Sequence, residues 1–270
     1  MKEFKDKVVV ITGAGSGIGR ALALHFANRQ SRLAINDFNA EGLAETVGML
    51  PSGIDVLQKV FDVSIRKEMY AFSAEVMNRY GQVDIVINNA GVALSKLNTH
   101  ETTWEQYEWI IGINLWGMMY GSLAFLPYLR KRDESSLVNV SSIFGLHGVP
   151  GQAGYCTTKF GIRGFTESLS IEEEIAGSSV TVTSVHPGGI QTNIARNAQG
   201  ADIGEEEMQR IEKAFITTPT KAAEVIAKGI SKKKKRVVIG RDGKRFHFVS
   251  KLPVSWSRRL ISNWVSKISD

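Results

Sequence analysis

Tyr155 and Lys159, a phenol and an amine four residues apart, are the pair in this chain best suited to acid/base work. On a helix, positions i and i+4 share a face, one turn apart. An ammonium held near a phenol favours the phenolate, and an opposite charge at short range shifts a pKa by roughly 1–3 units. Tyrosine starts near ~10, so a lowered Tyr155 would exchange protons close to neutral pH. Tyr and Lys are common, and a Tyr packed on a helix beside a solvated Lys has the same spacing. The pair acquires meaning from the elements that position it and from what else they bring near.

A second chemical feature opens the chain. Lys7 to Thr12 is a short β-branched apolar run that reads as a buried parallel strand. Gly13-Ala14-Gly15-Ser16-Gly17-Ile18-Gly19 follows at once, and Arg20 to Arg29 reads as a helix. Strand, glycine-rich turn and helix are the context of a phosphate-binding loop. Glycines let the backbone approach a pyrophosphate, and the helix start offers unpaired N–H groups. The next strand, Arg32 to Asp37, ends on a carboxylate 18 residues after Gly19. There it suits the two hydroxyls of an adenosine ribose and repels a 2′-phosphate. No Arg or Lys lies in the glycine loop before Arg20 or immediately after Asp37, so NAD(H) is favoured over NADP(H).

The alternation of strand and helix continues to about residue 240. Helices are expected over Ala40–Leu50, Ile65–Tyr80, Gly154–Ala176 and Thr220–Ser231. Strands are expected at Val56–Phe61, Asp84–Ile87, Ser136–Val140, Val180–Val185 and Arg236–Ile239. The exit of one strand reads Asn88-Asn89-Ala90-Gly91, another leads into Ser141-Ser142, and a third into His186-Pro187-Gly188-Gly189. Thr103 to Lys131 reads as one long apolar helix with breaks possible at Gly112, Gly117 and Gly121. Asn114 is a polar residue within it, either a satisfied buried amide or one that holds water for catalysis. Such alternation predicts one α/β domain, a Rossmann-type, doubly wound and mainly parallel seven-stranded sheet with helices on both faces. Residues 1–240 would form that domain and 241–270 an extension.

Composition narrows the class. With 43% hydrophobic and 22% charged residues the chain is globular in character. Its single cysteine, Cys156, allows no intrachain disulfide and offers no zinc cluster, which agrees with a reducing, cytoplasmic setting. His147 and His186 have no partner at metal-ligand spacing, so no metal is expected. Val8–Ile11 is too short for a signal-peptide core, and no run of about 20 apolar residues suggests a membrane span. The net charge of +6 is unevenly spread. Residues 221–270 hold 14 Lys and Arg against 3 Asp and Glu, whereas the preceding 220 hold 19 against 24. A basic tail on an acidic body argues against nucleic acid as the partner of the whole protein.

Taken together, from about Lys5 to Val238, the chain resembles the short-chain dehydrogenase/reductase family. The resemblance rests on Thr12-Gly13-x-x-x-Gly17-x-Gly19, Asn88-Asn89-Ala90-Gly91, Asn114, Ser142 with Tyr155-x-x-x-Lys159, and Pro187-Gly188. The glycine spacing differs from the G-x-G-x-x-G dinucleotide fingerprint. The resemblance implies an NAD-dependent oxidoreductase interconverting an alcohol and a ketone or aldehyde. Tyr155 would be the acid/base, and Lys159 would lower its pKa and bind the nicotinamide ribose. Ser142 would hold the substrate oxygen, with Ser141 as the rival assignment, and Asn114 would hold a proton-relay water. Gly13, Ser16, Gly17, Ile18, Gly19 and Asp37 would meet the adenosine diphosphate half. Asp62 and Val63 would flank the adenine, and Asn89, Ala90 and Gly91 would line the middle. Ile190 and Thr192, after Pro187-Gly188, would meet the carboxamide. Relatives are commonly homodimers or homotetramers.

Two regions lie outside these motifs. Residues 189–218 contain an amphipathic run, Glu205 to Phe215 with Met208 and Ile211, that suits either a substrate lid or plain packing. With Val92, Leu94, Phe144, Val149 and Ile194 near the expected pocket, and His147 at its border, the substrate leans to a hydrophobic, steroid-like or long-chain compound. Within the basic tail, Trp256, Leu260, Ile261, Trp264, Val265 and Ile268 fall on one helical face, as in a helix that lies on a membrane or docks on protein. Two other readings stand beside the favoured one: a catalytically silent dinucleotide-binding regulatory relative, and an NADP-dependent carbonyl reductase.

Overall fold

The computed structural model describes the chain except Lys2, Lys96, Asp202 and Asp270, and except the side chains of residues 264–269. Seven parallel strands form one sheet in the order β3-β2-β1-β4-β5-β6-β7. They are β1 (Val8–Thr12), β2 (Arg32–Asp37), β3 (Val56–Val60), β4 (Ile85–Asn88), β5 (Ser135–Val140), β6 (Val180–Pro187) and β7 (Arg236–Ile239). The chain winds outward from β1 through β2 to β3, then returns to β4 on the other side of β1. The carboxyl ends of β1 and β4 therefore flank the switch point, where a doubly wound sheet leaves a crevice for a ligand.

Alternating side chains of the buried strands feed two cores. Val9 and Ile11 pack with Leu22, Phe26 and Ile226 on one face. Val8 and Val10 pack with Phe72, Phe125 and Leu169 on the other. The first face is covered by α1 (Gly17–Ala27), α2 (Ala40–Gly48) and α8 (Pro219–Ser231), and the second by α3 (Arg66–Tyr80), α5 (Gly117–Leu129) and α6 (Ala153–Ile175). The α/β architecture and strand count are those the sequence led us to expect.

Three local features differ. The long apolar helix is continuous but changes pitch. It runs as α4 (Trp104–Ile110), a π-helical stretch over Ile111–Trp116 and α5. Residues 104–129 are long and apolar enough to cross a membrane by length and composition, which the reading of the sequence did not anticipate, but half of the stretch is buried within the protein. β6 continues past Val185 because His186 and Pro187 still pair with Val238 and Ile239. Beyond β7 an unforeseen helix, α9 (Arg241–Val249), precedes α10 (Val254–Ser269). Between β6 and α8 lies α7 (Gly204–Ala214), which has no fully buried residue.

Candidate active site

The glycine loop after β1 is built for close backbone approach. Gly13 and Gly17 adopt positive φ values of 68° and 52°, a conformation that a Cβ disfavours. A Cβ on Gly19 would stand 1.8 Å from the Gly13 carbonyl oxygen, so α1 packs onto the loop only through glycine. Ser16 is the N-cap of α1 but makes no side-chain cap, and the first turn carries no acid. The amide groups of this turn are thus suited to an anion. Thr12, which the expected site omitted, ties the loop to the β4 exit. Its hydroxyl accepts from the Asn89 and Ala90 amides, both at 3.1 Å. The Asn89 side chain donates to the Thr12 and Gly13 carbonyls at 2.9 and 3.0 Å.

Asp37 stands at the carboxyl end of β2, beside this loop. Its carboxylate accepts from the Gly15 amide at 2.7 Å and the Asn39 amide at 2.9 Å. Arg20, the cation nearest in sequence to the loop, is bound to Glu45 at 2.7 Å and to the Gly15 carbonyl. Ile18 packs partly buried against the core. Asp62 caps its own turn by accepting from the Ser64 amide at 2.8 Å, and Val63 is buried against Gly117. After β6, the Gly188 amide donates to the Ile239 carbonyl at 3.0 Å. The Gly189 amide donates to Asp242 of α9 at 2.6 Å. Ile190 is buried and bridges to Thr217, while Thr192 closes on the glycine loop, its Cγ2 2.9 Å from where a Gly17 Cβ would be. These residues fit a dinucleotide: a glycine-lined cradle, uncapped helix amides and a carboxylate at the end of β2 lie along the carboxyl edge of the sheet.

Tyr155 and Lys159 rise one turn apart on α6. The Lys159 ammonium lies 5.4 Å from the Tyr155 ring centroid and donates to the Val140 carbonyl at 3.2 Å. A Cβ on Gly91 would meet the Asn114 Oδ1 at 3.2 Å and the Lys159 Nζ at 3.4 Å, so the missing side chain lets these groups converge. Asn114 is fully buried in the π-helical stretch, a deviation that recurs at functional sites. Its amide is spent on the backbone of Val92, accepting from N at 2.8 Å and donating to O at 2.9 Å, and it also donates to Thr158 at 3.2 Å. The side chain therefore clamps the β4 exit to α6.

The two serines after β5 separate by what they touch. The Ser141 hydroxyl donates to the Lys159 carbonyl at 2.7 Å, under a glycine, Gly145, that leaves it room. The Ser142 hydroxyl accepts from the Phe144 amide at 3.2 Å and hydrogen-bonds the Tyr155 phenol. His186, set aside in the sequence as no metal ligand, has a structural task. It is wholly buried, with Nδ1 2.9 Å from the Ser142 carbonyl and Nε2 2.8 Å from the Ser184 hydroxyl. Burial pushes its pKa down to about 4, so the ring is neutral and fixes the backbone at Ser142. Nothing in its spacing signals this, because the contact spans 44 residues.

The electrostatics correct one expectation. Burial pushes the Tyr155 phenol up to about 12, against the Ser142 hydrogen bond that pulls it down. Burial likewise pushes Lys159 down to about 8. Loss of water disfavours both charged forms and outweighs the attraction that would lower Tyr155.

Phe144 meets Tyr155 edge to face at 6.1 Å and Phe246 of α9 at 6.0 Å. His147 bonds Ser257 of α10 at 3.0 Å. Ile143, Leu146, Phe246 and Ile261 form a small buried cluster that Phe144 and Val149 join. Leu94 is buried and bridges to Gln199, and Val92 and Ile194 are half-buried. The flank of the site is therefore partly made by the C-terminal helices. Of the apolar tail residues, Ile261 turns inward, whereas Trp256 and Leu260 face outward. Neighbouring positions on a helix point about 100° apart, and the contact is narrow. The side chains of Trp264, Val265 and Ile268 lie outside the described residues.

A family model described as short chain dehydrogenase matches residues 7–202, and the chain belongs to that family. It is an oxidoreductase with the family's nucleotide-binding Rossmann fold. SadH of Mycobacterium tuberculosis, named only as an oxidoreductase, is 40% identical over 99% of this chain and 98% of its own length. A short chain dehydrogenase/reductase from Burkholderia phymatum in complex with NAD superposes with a TM-score of 0.81 at 27% identity, covering 88% of this chain and 90% of the other. An alcohol dehydrogenase from Thermococcus sibiricus, complexed with 5-hydroxy-NADP, gives 0.73 at 28% identity, covering 86% and 93%.

Proposed function

We propose that this protein interconverts a secondary alcohol and a ketone, or a primary alcohol and an aldehyde, with NAD(H), on a substrate with a large apolar part. The observation that carries this reading is the convergence of Ser142, Tyr155 and Lys159 opposite a glycine-lined dinucleotide cradle. A bound nicotinamide supplies or accepts the hydride. Ser142 and Tyr155 hydrogen-bond the substrate oxygen. In reduction, Tyr155 gives its proton to that oxygen, for which a phenol kept protonated by burial is suited; in oxidation it takes one back. Lys159 limits the charge left on the phenolate. Asn114 keeps the β4 exit and α6 in register so that these groups stay together.

The preference for NAD(H) rests on Asp37 at the β2 terminus and on Arg20 being engaged with Glu45 and the Gly15 carbonyl. The apolar substrate rests on Phe144, Phe246 and Val149 beside Tyr155. Exposed Trp116, which ends the π-helical stretch and stacks on half-buried Tyr120 of α5, and exposed Ile171 of α6 support a homodimer or homotetramer. The test is an alcohol and ketone panel followed at the nicotinamide absorbance with both cofactors. Turnover of apolar alcohols with NAD is the expected result. Tighter use of NADP, or a preference for polyols, overturns the corresponding half. Tyr155→Phe should lower kcat by about 10²–10⁴-fold with NADH binding retained by fluorescence titration.

A further inference from the structure

We infer that the outer face of α9 and α10 docks on an anionic lipid surface. These helices have two dissimilar sides. The inner side, with Gly243, Phe246, Ser257 and Ile261, is buried against the catalytic domain. The outer side of α9 carries Arg241, Lys244, Arg245 and Phe248, all exposed and at helical spacing on one face. On α10, Trp256 and Leu260 are one turn apart on a flank that also holds Arg259. Phe248 and Trp256 are each 67% exposed, Val254 71% and Leu260 47%. Large apolar groups this open are costly in water when clustered, and they mark an interaction surface.

The chemistry of the partner follows from the cations on the same two helices and the turn that joins them. Arg241, Lys244, Arg245, Lys251, Arg258 and Arg259 are exposed, and no carboxylate among the described residues pairs with any of them. Residues 241–270 contain seven Lys and Arg against two Asp, and Asp242 is engaged inward with Gly189. Tryptophan and leucine interleaved with arginine on a short helix suit the boundary between headgroups and acyl chains, where the apolar groups enter and the cations meet phosphate. A second copy of the chain is disfavoured as the occupant. A two-fold contact would set this patch against itself, cation opposite cation. The inner side of the same helices meets Phe144, which itself meets Tyr155, so a docked molecule holds this flank of the site near the lipid surface.

The test uses the full chain and sedimentation with vesicles of phosphatidylcholine alone or mixed with phosphatidylserine. Binding to the mixed vesicles, lost in high salt and absent with phosphatidylcholine alone, is the expected result. Arg258→Gln and Arg259→Gln should each weaken it roughly fivefold, and Trp256→Ser with Leu260→Ser should abolish it. NADH binding and the melting temperature of each variant report folding. Failure to bind mixed vesicles at low salt overturns the inference. So does a Trp256→Ser/Leu260→Ser protein that still binds, or one that instead falls from oligomer to monomer by light scattering without any lipid affinity in the parent.

Discussion

Lys159 is a buried ammonium that donates to the Val140 carbonyl, and its energetics run against stability. Its folded pKa of about 8 lies below the ordinary lysine value of 10.5. Between those two pH values the unfolded chain binds more protons than the folded one, so stability rises with pH across that window. Below about 8 both states are protonated and the full penalty applies. Lys159→Met should therefore raise the stability at pH 7, by an amount on the order of 1–3 kcal/mol after loss of the Val140 bond, and the melting temperature with it. The gain should shrink as pH climbs toward 10, and turnover should fall sharply. Thermal melts at several pH values check this; a variant less stable than the parent at pH 7 would show that the ammonium is better solvated than its burial indicates. Tyrosine and lysine at i and i+4 were legible as a pair in the sequence, but the direction of their pKa values was not. Spacing reveals which groups are close and says nothing of how much water is left around them.

At the scale of elements, residues 189–218 are the least anchored part of the site. α7 has no fully buried residue and is held largely by charge. Arg196 bonds Glu205 at 3.1 Å and also Glu212, and Phe215 lies against Gly189 just beyond the helix. Exposed ion pairs are screened by salt. Arg196→Gln should speed limited proteolysis within this segment and raise KM for substrate several-fold while leaving the melting temperature nearly unchanged. High salt should mimic the variant in the parent protein. An unaltered proteolysis rate would mean that Met208 and Ile211, both half-buried, already hold α7. The amphipathic period located this helix to within a residue at its start. The π-helical stretch around Asn114 was beyond such reading, because the residues on either side keep the same apolar pattern whether the turn holds 3.6 residues or more.

At the scale of the whole molecule, the tail is joined to the site. Asp242 accepts from the Gly189 amide at the start of the loop that leads to Ile190 and Thr192. Its Oδ2 also fills the space a side chain on Gly188 would need. Asp242→Ala leaves a half-buried amide without its acceptor, a loss of about 1 kcal/mol. We expect NADH binding to weaken several-fold, measured by fluorescence titration, whereas Asp242→Asn keeps an acceptor and most of the affinity. Equal affinity in Asp242→Ala and the parent would show that the loop after β6 holds itself. The boundary drawn at residue 240 followed from the end of the βα alternation, and that pattern cannot register a contact made by a carboxylate 53 residues from its partner.

The sequence by itself determined the seven-stranded parallel sheet, the glycine loop and the Tyr155–Lys159 pair, since these depend on local period, glycine geometry and one turn of helix. Only the tertiary structure decided which serine meets Tyr155, what His186 and Asp242 hold, and which side of α10 is buried. Each of those depends on contacts between segments far apart in the chain. Burial, which sets both the pKa values of the site and the outward face of the tail, is a property of the packed molecule and of no single stretch within it.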